Sequence, residues 1–247
     1  MATPRVLASP PIVEALVDIR AAVTASPDVF EALSRELRTY YPKSQSRRGI
    51  KAELRVEQGK LIPPVAEDLG FQGVLLNNED ETVAVQFRPD GFTFNNLKSY
   101  MGGDTLLTEA LRLWSKFARH MQPTAASRVA LRYINQLRLP FHVGDEFSKY
   151  LTAAPQTPDG APQTVSEFLS RVVAHDEEAA ATVITTQQLT TPAPMVPTLV
   201  VIDVDAFCQG EFSPDHLELR PLLDRLRILK NRTFFAHLTD EAVELFV

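Results

Sequence analysis

A chain of 247 residues, 45% hydrophobic and 23% charged, has the composition of a folded globular protein and length enough for one large domain or two small ones. Its net charge of -6 argues against a general nucleic-acid binder, and its single cysteine, Cys208, excludes an internal disulfide. With no charged leader ahead of an apolar run at the N-terminus and no stretch of membrane-crossing length, a cytoplasmic protein without membrane contact is expected.

Residues 1–11 read as a short flexible lead ending in Pro10-Pro11, and 12–247 as a single α+β domain. In Ile12 to Val23 the residues Ala15, Val17, Ile19, Ala21 and Val23 share one face, and Glu14, Leu16, Asp18, Arg20 and Ala22 the other, as in a half-buried strand. Ser26-Pro27-Asp28 opens a helix with Val29, Phe30, Leu33 and Leu37 inward, and Pro42 ends it. The basic run Lys43 to Lys51 lacks interleaved aromatics and reads as a solvated loop. A strand with Ala52, Leu54 and Val56 follows, broken at Gly59 and Pro63-Pro64. Gln72 to Leu76, Val83 to Phe87 and Phe92 to Phe94 then form an antiparallel meander. Gly102-Gly103-Asp104 starts the strongest helix, with Asp104 as N-cap and an apolar stripe of Leu106, Leu107, Ala110, Leu111, Trp114, Phe117, Ala118 and Met121.

Ser127 to Pro140 is the clearest strand. Val129, Leu131, Tyr133, Asn135, Leu137 and Leu139 share a core face, while Arg128, Arg132 and Arg138 project from the other. Thr152 to Thr164 is an exposed proline-rich connector, and Val165 to Ala174 reads as a short helix with Phe168, Leu169 and Val172 inward. Strands follow near Ala181 to Leu189 and Thr198 to Phe207, the second presenting Asp203 and Asp205 on one side. The chain ends in a helix with Leu219, Leu222, Leu223, Leu226 and Leu229 inward, then a final turn capped by Thr239-Asp240-Glu241. The expected fold class is α+β, a mainly antiparallel sheet with helices packed on one face. The letters A-L-x-x-I at Ala15-Leu16-Ile19 and Ala130-Leu131-Ile134 suggest two similar halves, 12–123 and 124–247.

No catalytic residue stands out, and the sequence gives no reason to expect a metal or a cofactor: there is no zinc, P-loop, dinucleotide or nucleophile-elbow motif. The candidate site is a mixed-charge sheet face of Arg20, Arg128, Arg132, Arg138, Asp203 and Asp205, with Asp18 beside them. Two aspartates two residues apart on a strand lie about 7 Å apart, a spacing open to a divalent cation or an acid–base pair. Cross-strand ion pairs with the arginines are the preferred reading, and a mixed face suits a protein partner better than nucleic acid. Asn135, the one polar member of its apolar face, is expected to pin a neighbouring strand or loop by hydrogen bonding.

Several segments together carry a resemblance: Pro10-Pro11-Ile12-Val13-Glu14-Ala15 with Ile19-Arg20, Phe92 to Asn96 ahead of Tyr100, Leu131-Arg132-Tyr133-Ile134-Asn135, Asp203-Val204-Asp205, and Phe234-Phe235 before Leu238-Thr239-Asp240-Glu241. On these, the chain resembles end to end a sporadically distributed family of uncharacterised bacterial proteins. The family has Leu-His where this chain has Leu226-Arg227, which removes a histidine role there. The resemblance implies fold boundaries and no activity, and by analogy a stress, toxin-neutralising or defence setting. The expected function is a cytoplasmic, non-catalytic protein-interaction module with a protein partner or a second copy of itself. The alternative is an enzyme or sensor holding a small anionic ligand on the Arg/Asp face. A weaker one is nucleic-acid binding through Lys43 to Lys51 and Arg225 to Arg232.

Overall fold

The two long alternating strands, β1 (Ile12–Arg20) and β6 (Ala126–Leu139), pair antiparallel in the middle of one nine-stranded sheet. The computed structural model describes residues 2–57, 60–140, 146–190 and 198–247. The remaining elements are α1 (Pro27–Leu37), β2 (Lys43–Glu57), β3 (Lys60–Asn77), β4 (Val83–Arg88), β5 (Gly91–Asn96), α2 (Gly103–Met121), β7 (Phe168–Asp176), β8 (Ala181–Thr190), β9 (Thr198–Phe212), α3 (His216–Ala236) and α4 (Asp240–Glu244). The sheet order is β2-β3-β4-β5-β1-β6-β9-β8-β7, and every pairing is antiparallel, so the α+β expectation holds.

One connectivity is repeated on the two sides of the β1–β6 seam. The strand that closes each run, β5 or β9, pairs with the strand that opened it, the earlier strands step outward, and a helix follows. The A-L-x-x-I letters do not follow this repeat. Ala15 points to the helix-covered face, whereas Ala130 pairs with Asp18 and Phe207 on the other, so the matched letters are out of phase by one residue.

The helices lie on a single face: α2 over β1 and β5, α3 over β6, β9 and β8, and α1 over β3. Alternation explains what they cover. Ala15, Val17 and Ile19 of β1, Leu131 and Tyr133 of β6, and Val200, Ile202 and Val204 of β9 are buried beneath them. Phe87 stacks on Phe117 of α2 at 5.8 Å, and Phe92 meets Trp114 at 6.1 Å. The β4–β5 turn requires a glycine. Gly91 has φ +145°, and a Cβ there would lie 2.3 Å from the Ile19 carbonyl oxygen of β1. Residues 2–11 run beside the C-terminal end, with Ala2 N–H donating to the Leu238 carbonyl at 2.9 Å, Ser9 N–H to that of Phe246 at 3.0 Å, and Arg5 paired with Glu244 at 2.8 Å.

Four local expectations are corrected. Residues 168–176 form strand β7, not a helix: the strand lies at the edge of the sheet, and its apolar residues on both faces imitate helical spacing. Lys43 to Lys51 belongs to β2 at the opposite edge, an extended and exposed chain in which Lys43 pairs with Glu81 and Arg48 with Asp68. Strand β3 runs through Pro63-Pro64, while the break expected at Gly59 and the side-chain alternation over 52–57 lie outside the described residues. Asp104 does not cap α2; Gly102 holds that position, and the Asp104 carboxylate instead accepts from Arg220 and Arg227. No described helix is long and apolar enough to cross a membrane.

Candidate functional site

The uncovered sheet face gathers the predicted charges in rows set by strand register. Arg88 of β4, Gly91 of β5, Arg20 of β1 and Arg128 of β6 occupy one row. Gln86, Thr93, Asp18 and Ala130 form the next, followed by Phe207 of β9. Two arginines placed directly opposite, Arg20 and Arg128, would repel. The small residues between them, Gly91, Thr93 and Ala130, leave room for all three guanidiniums to lean onto Asp18.

Asp18 is the hub, and it is 6% exposed. Its Oδ1 accepts from Arg20 Nε and Arg128 Nη1, each at 3.0 Å, and its Oδ2 from Arg88 Nη2 at 3.0 Å and Thr93 Oγ1 at 2.7 Å. Burial alone would raise this carboxyl, but the Thr93 hydroxyl and the three arginines outweigh it and hold it below the ordinary aspartate value. Asp90, in the β4–β5 turn, takes the outer sides of Arg20 and Arg88.

Arg128 also carries the network toward β9. It lies 4.4 Å over the Phe207 ring and donates from Nη2 to Asp205 at 2.8 Å. Arg132 makes a two-pronged pair with Asp203, at 2.8 and 2.5 Å. Asp205 is left with an enclosed Oδ1 that has no partner, and its carboxyl is pushed up by burial and by Asp203 against the pull of Arg128 and Arg132. Glu14, next to Arg132 on this face, is raised by burial as well.

Of the predicted site residues, the structure therefore joins Arg20, Arg128 and Asp205 through Asp18 in one chain of ion pairs, with Arg132–Asp203 a separate pair beside it, Arg132 standing opposite Asp205 in the register. Arg138, exposed beyond Arg132 on the same face, makes no ion pair among the described residues and stands outside this chain. Asn135 is buried on the opposite face and donates to the Ile202 carbonyl of β9 at 2.9 Å, fastening the β6–β9 pair. No three His, Cys, Asp or Glu side chains among the described residues converge to hold a metal ion. The two basic segments do not converge either, one lying in edge strand β2 and the other in α3 over β6, β9 and β8.

Sequence reasoning missed Arg88 and Asp90, and placed Arg47 only in the basic run Lys43 to Lys51, apart from this face. Together with Arg20, Phe71, Gln72, Gln86 and Pro89 these line an open cleft of about 650 Å³ on the same face. The polar phase of Gln86 and Arg88 is visible in the alternation of β4, but the convergence of the cleft depends on register across the five strands from β2 to β1. It also missed Lys230 of α3, which is 6% exposed with its amine 3.6 Å from the centre of the Tyr133 ring. That signal was readable, since Lys230 falls four residues after Leu226 on an inward-facing stripe. A scan of protein-family models gives no match for this chain, and a search of curated proteins gives none.

Proposed function

We propose that the protein is a cytoplasmic, non-catalytic protein-interaction module that pairs with a second copy of itself through β7. The observation that carries this reading is the bare edge of the sheet. Among the described residues strand β7 has no partner on its outer side, and Leu169, Val172 and Val173 are 71%, 55% and 47% exposed. Such an edge invites another strand. The opposite edge is guarded: β2 carries Lys43, Arg47, Arg48 and Lys51, and its register with β3 shifts at bulges. The nine residues of β7 overlap fully with an antiparallel copy centred on Val172. In that register Val172 faces Val172, Arg171 faces Val173, Leu169 faces His175, and no like charges oppose each other. The Arg/Asp face supports the same reading, because its ion pairs are already closed within the chain.

Native mass spectrometry of the purified protein at micromolar concentration tests this. A dimer is expected, with Val172→Lys returning monomers whose circular dichroism is unchanged. A monomeric wild type, or a dimer indifferent to both Val172→Lys and Leu169→Lys, overturns the reading.

A second reading, a small anionic ligand, is favoured by one feature of the 650 Å³ cleft: Arg47 lines it and makes no ion pair among the described residues. Calorimetric titration with inorganic phosphate and with a dicarboxylate, with and without Arg47→Ala, checks it. The resemblance to a sporadic bacterial family adds a stress, toxin-neutralising or defence setting by analogy.

A further inference from the structure

Helix α3 buries Leu219, Leu222, Leu223, Leu226 and Leu229 against the sheet, and Lys230 occupies the same inward side. An aliphatic side chain would fill that position without desolvating a charge. Instead an amine stands there with no carboxylate and no hydrogen bond among the described residues. The nearby acids are already engaged: Asp224 by Arg220 and Arg227, and Asp104 by the same two arginines.

The polar surroundings of Lys230 come from three elements. Tyr133 of β6 offers its ring face to the amine at 3.6 Å, and its hydroxyl lies 3.0 Å from that of Tyr100, in the segment leading to α2. From α3 itself comes Arg227, and Asp104 faces it from the first turn of α2. Enclosed side-chain polar atoms that lack a hydrogen bond are, among the described residues, Gln187 Nε2, Asp205 Oδ1 and Asp224 Oδ1. The Lys230 amine also makes none and is not enclosed with them, so the residue's small exposed fraction includes its reactive atom. Gly103 packs closely beside this group, since a Cβ there would sit 3.2 Å from Arg227 Cδ and 3.4 Å from the Tyr100 hydroxyl.

We propose that Lys230 is a nucleophilic amine that condenses reversibly with a small carbonyl compound, an aldehyde or ketone, beside the Tyr100–Tyr133 hydroxyl pair. The neutral Nζ attacks the carbonyl carbon, a C–N bond forms, and the carbonyl π pair moves to oxygen, which takes up a proton as nitrogen releases one. Loss of water from this carbinolamine leaves C=N, so one amine and one carbonyl give one imine and one water. The tyrosine hydroxyls supply hydrogen bonds to the oxygen as it gains charge, and both are kept protonated by burial first of all. Burial, then the Arg227 guanidinium, brings the amine down to about 7, so much of it is unprotonated at neutral pH. With Lys230 only 6% exposed, only a small compound can approach the amine. This site is separate from the β7 edge and from the open-face charge network.

The test is limiting acetaldehyde with cyanoborohydride at pH 7, with peptide mapping of the ethylated positions. Lys230 is expected to react at least about ten-fold faster than Lys43, Lys98, Lys116 and Lys149, with a rate that rises with pH to a plateau above about 7. Tyr133→Phe, which keeps the ring, should slow the reaction without moving that midpoint. Lys230 reacting no faster than those four, or following the pH course of an ordinary lysine, overturns the proposal. Mapping the wild-type protein decides the matter even where Lys230→Met or Tyr133→Phe fails to fold.

Discussion

Asp18 and Arg128 meet diagonally across the β1–β6 seam, Oδ1 to Nη1 at 3.0 Å, and so allow Arg20 and Arg128 to stand directly opposite one another. The carboxylate neutralises a row that would otherwise set three guanidiniums side by side.

Asp18→Asn is expected to destabilise the protein by about 3 kcal/mol, the low end for removing one partner of a buried charge cluster, because the arginines remain partly solvated. Urea denaturation at pH 7 measures this. The folded-state carboxyl lies below its ordinary 3.8, so its stabilisation is present above that value and is lost as pH falls through the depressed one. The gap between wild type and variant should therefore close in acid.

The two aspartates of β9 should behave differently. Asp203→Asn breaks a two-pronged pair with a half-exposed Arg132 and should cost about 1 kcal/mol. Asp205→Asn should stay within about 1 kcal/mol of wild type, since burial already works against its charge. Because the Asp205 carboxyl is raised in the fold, its charged form is a penalty above that value, and the variant should gain on wild type as pH rises through the carboxylate range. Parallel denaturation curves at several pH values separate the two.

Lys230→Met should raise stability. The amine is protonated in the unfolded chain up to about pH 10.5 but in the folded one only to about 7, so the wild type is penalised fully below pH 7 and recovers above it. The variant's advantage should be greatest at pH 7 and below, and should shrink by about 1.4 kcal/mol per pH unit toward pH 10. Thermal or chemical denaturation across that window reads it directly.

Gly91→Ala should cost at least about 2 kcal/mol, because its Cβ would press on the Ile19 carbonyl in a conformation that side chains rarely adopt. Ala84→Gly, on the next strand and free of that constraint, is the control for strand propensity. A Gly91→Ala protein as stable as wild type would mean that the β4–β5 turn can move away from β1.

The sequence was legible where burial was one-sided. In β1, β6 and β9 helices cover one face and no described element covers the other, so residues alternate strictly and the arginines and aspartates could be assigned to a shared side. It was misleading where burial was absent or two-sided. Leu169, Val172 and Val173 sit exposed on an edge strand, and with only Phe168 at its start packed against the core their order mimics a helix. The pairing of Arg128 with Asp205 and of Arg132 with Asp203 was within reach, because both strands show their polar phase. The hub was not, because Arg88 and Asp18 are 70 residues apart and meet only through the register of three strands.

The repeated connectivity also governs the order of assembly on the ribosome. Strand β1 is made first but occupies the centre, and the partner that completes its far side carries Arg128, 110 residues after Asp18. Until β6 emerges, the first run presents β1 as an open edge with its acidic hub incompletely neutralised. The seam between the two runs is thus among the late long-range contacts, and slowing synthesis between β5 and β6 should lengthen the life of an aggregation-prone half sheet.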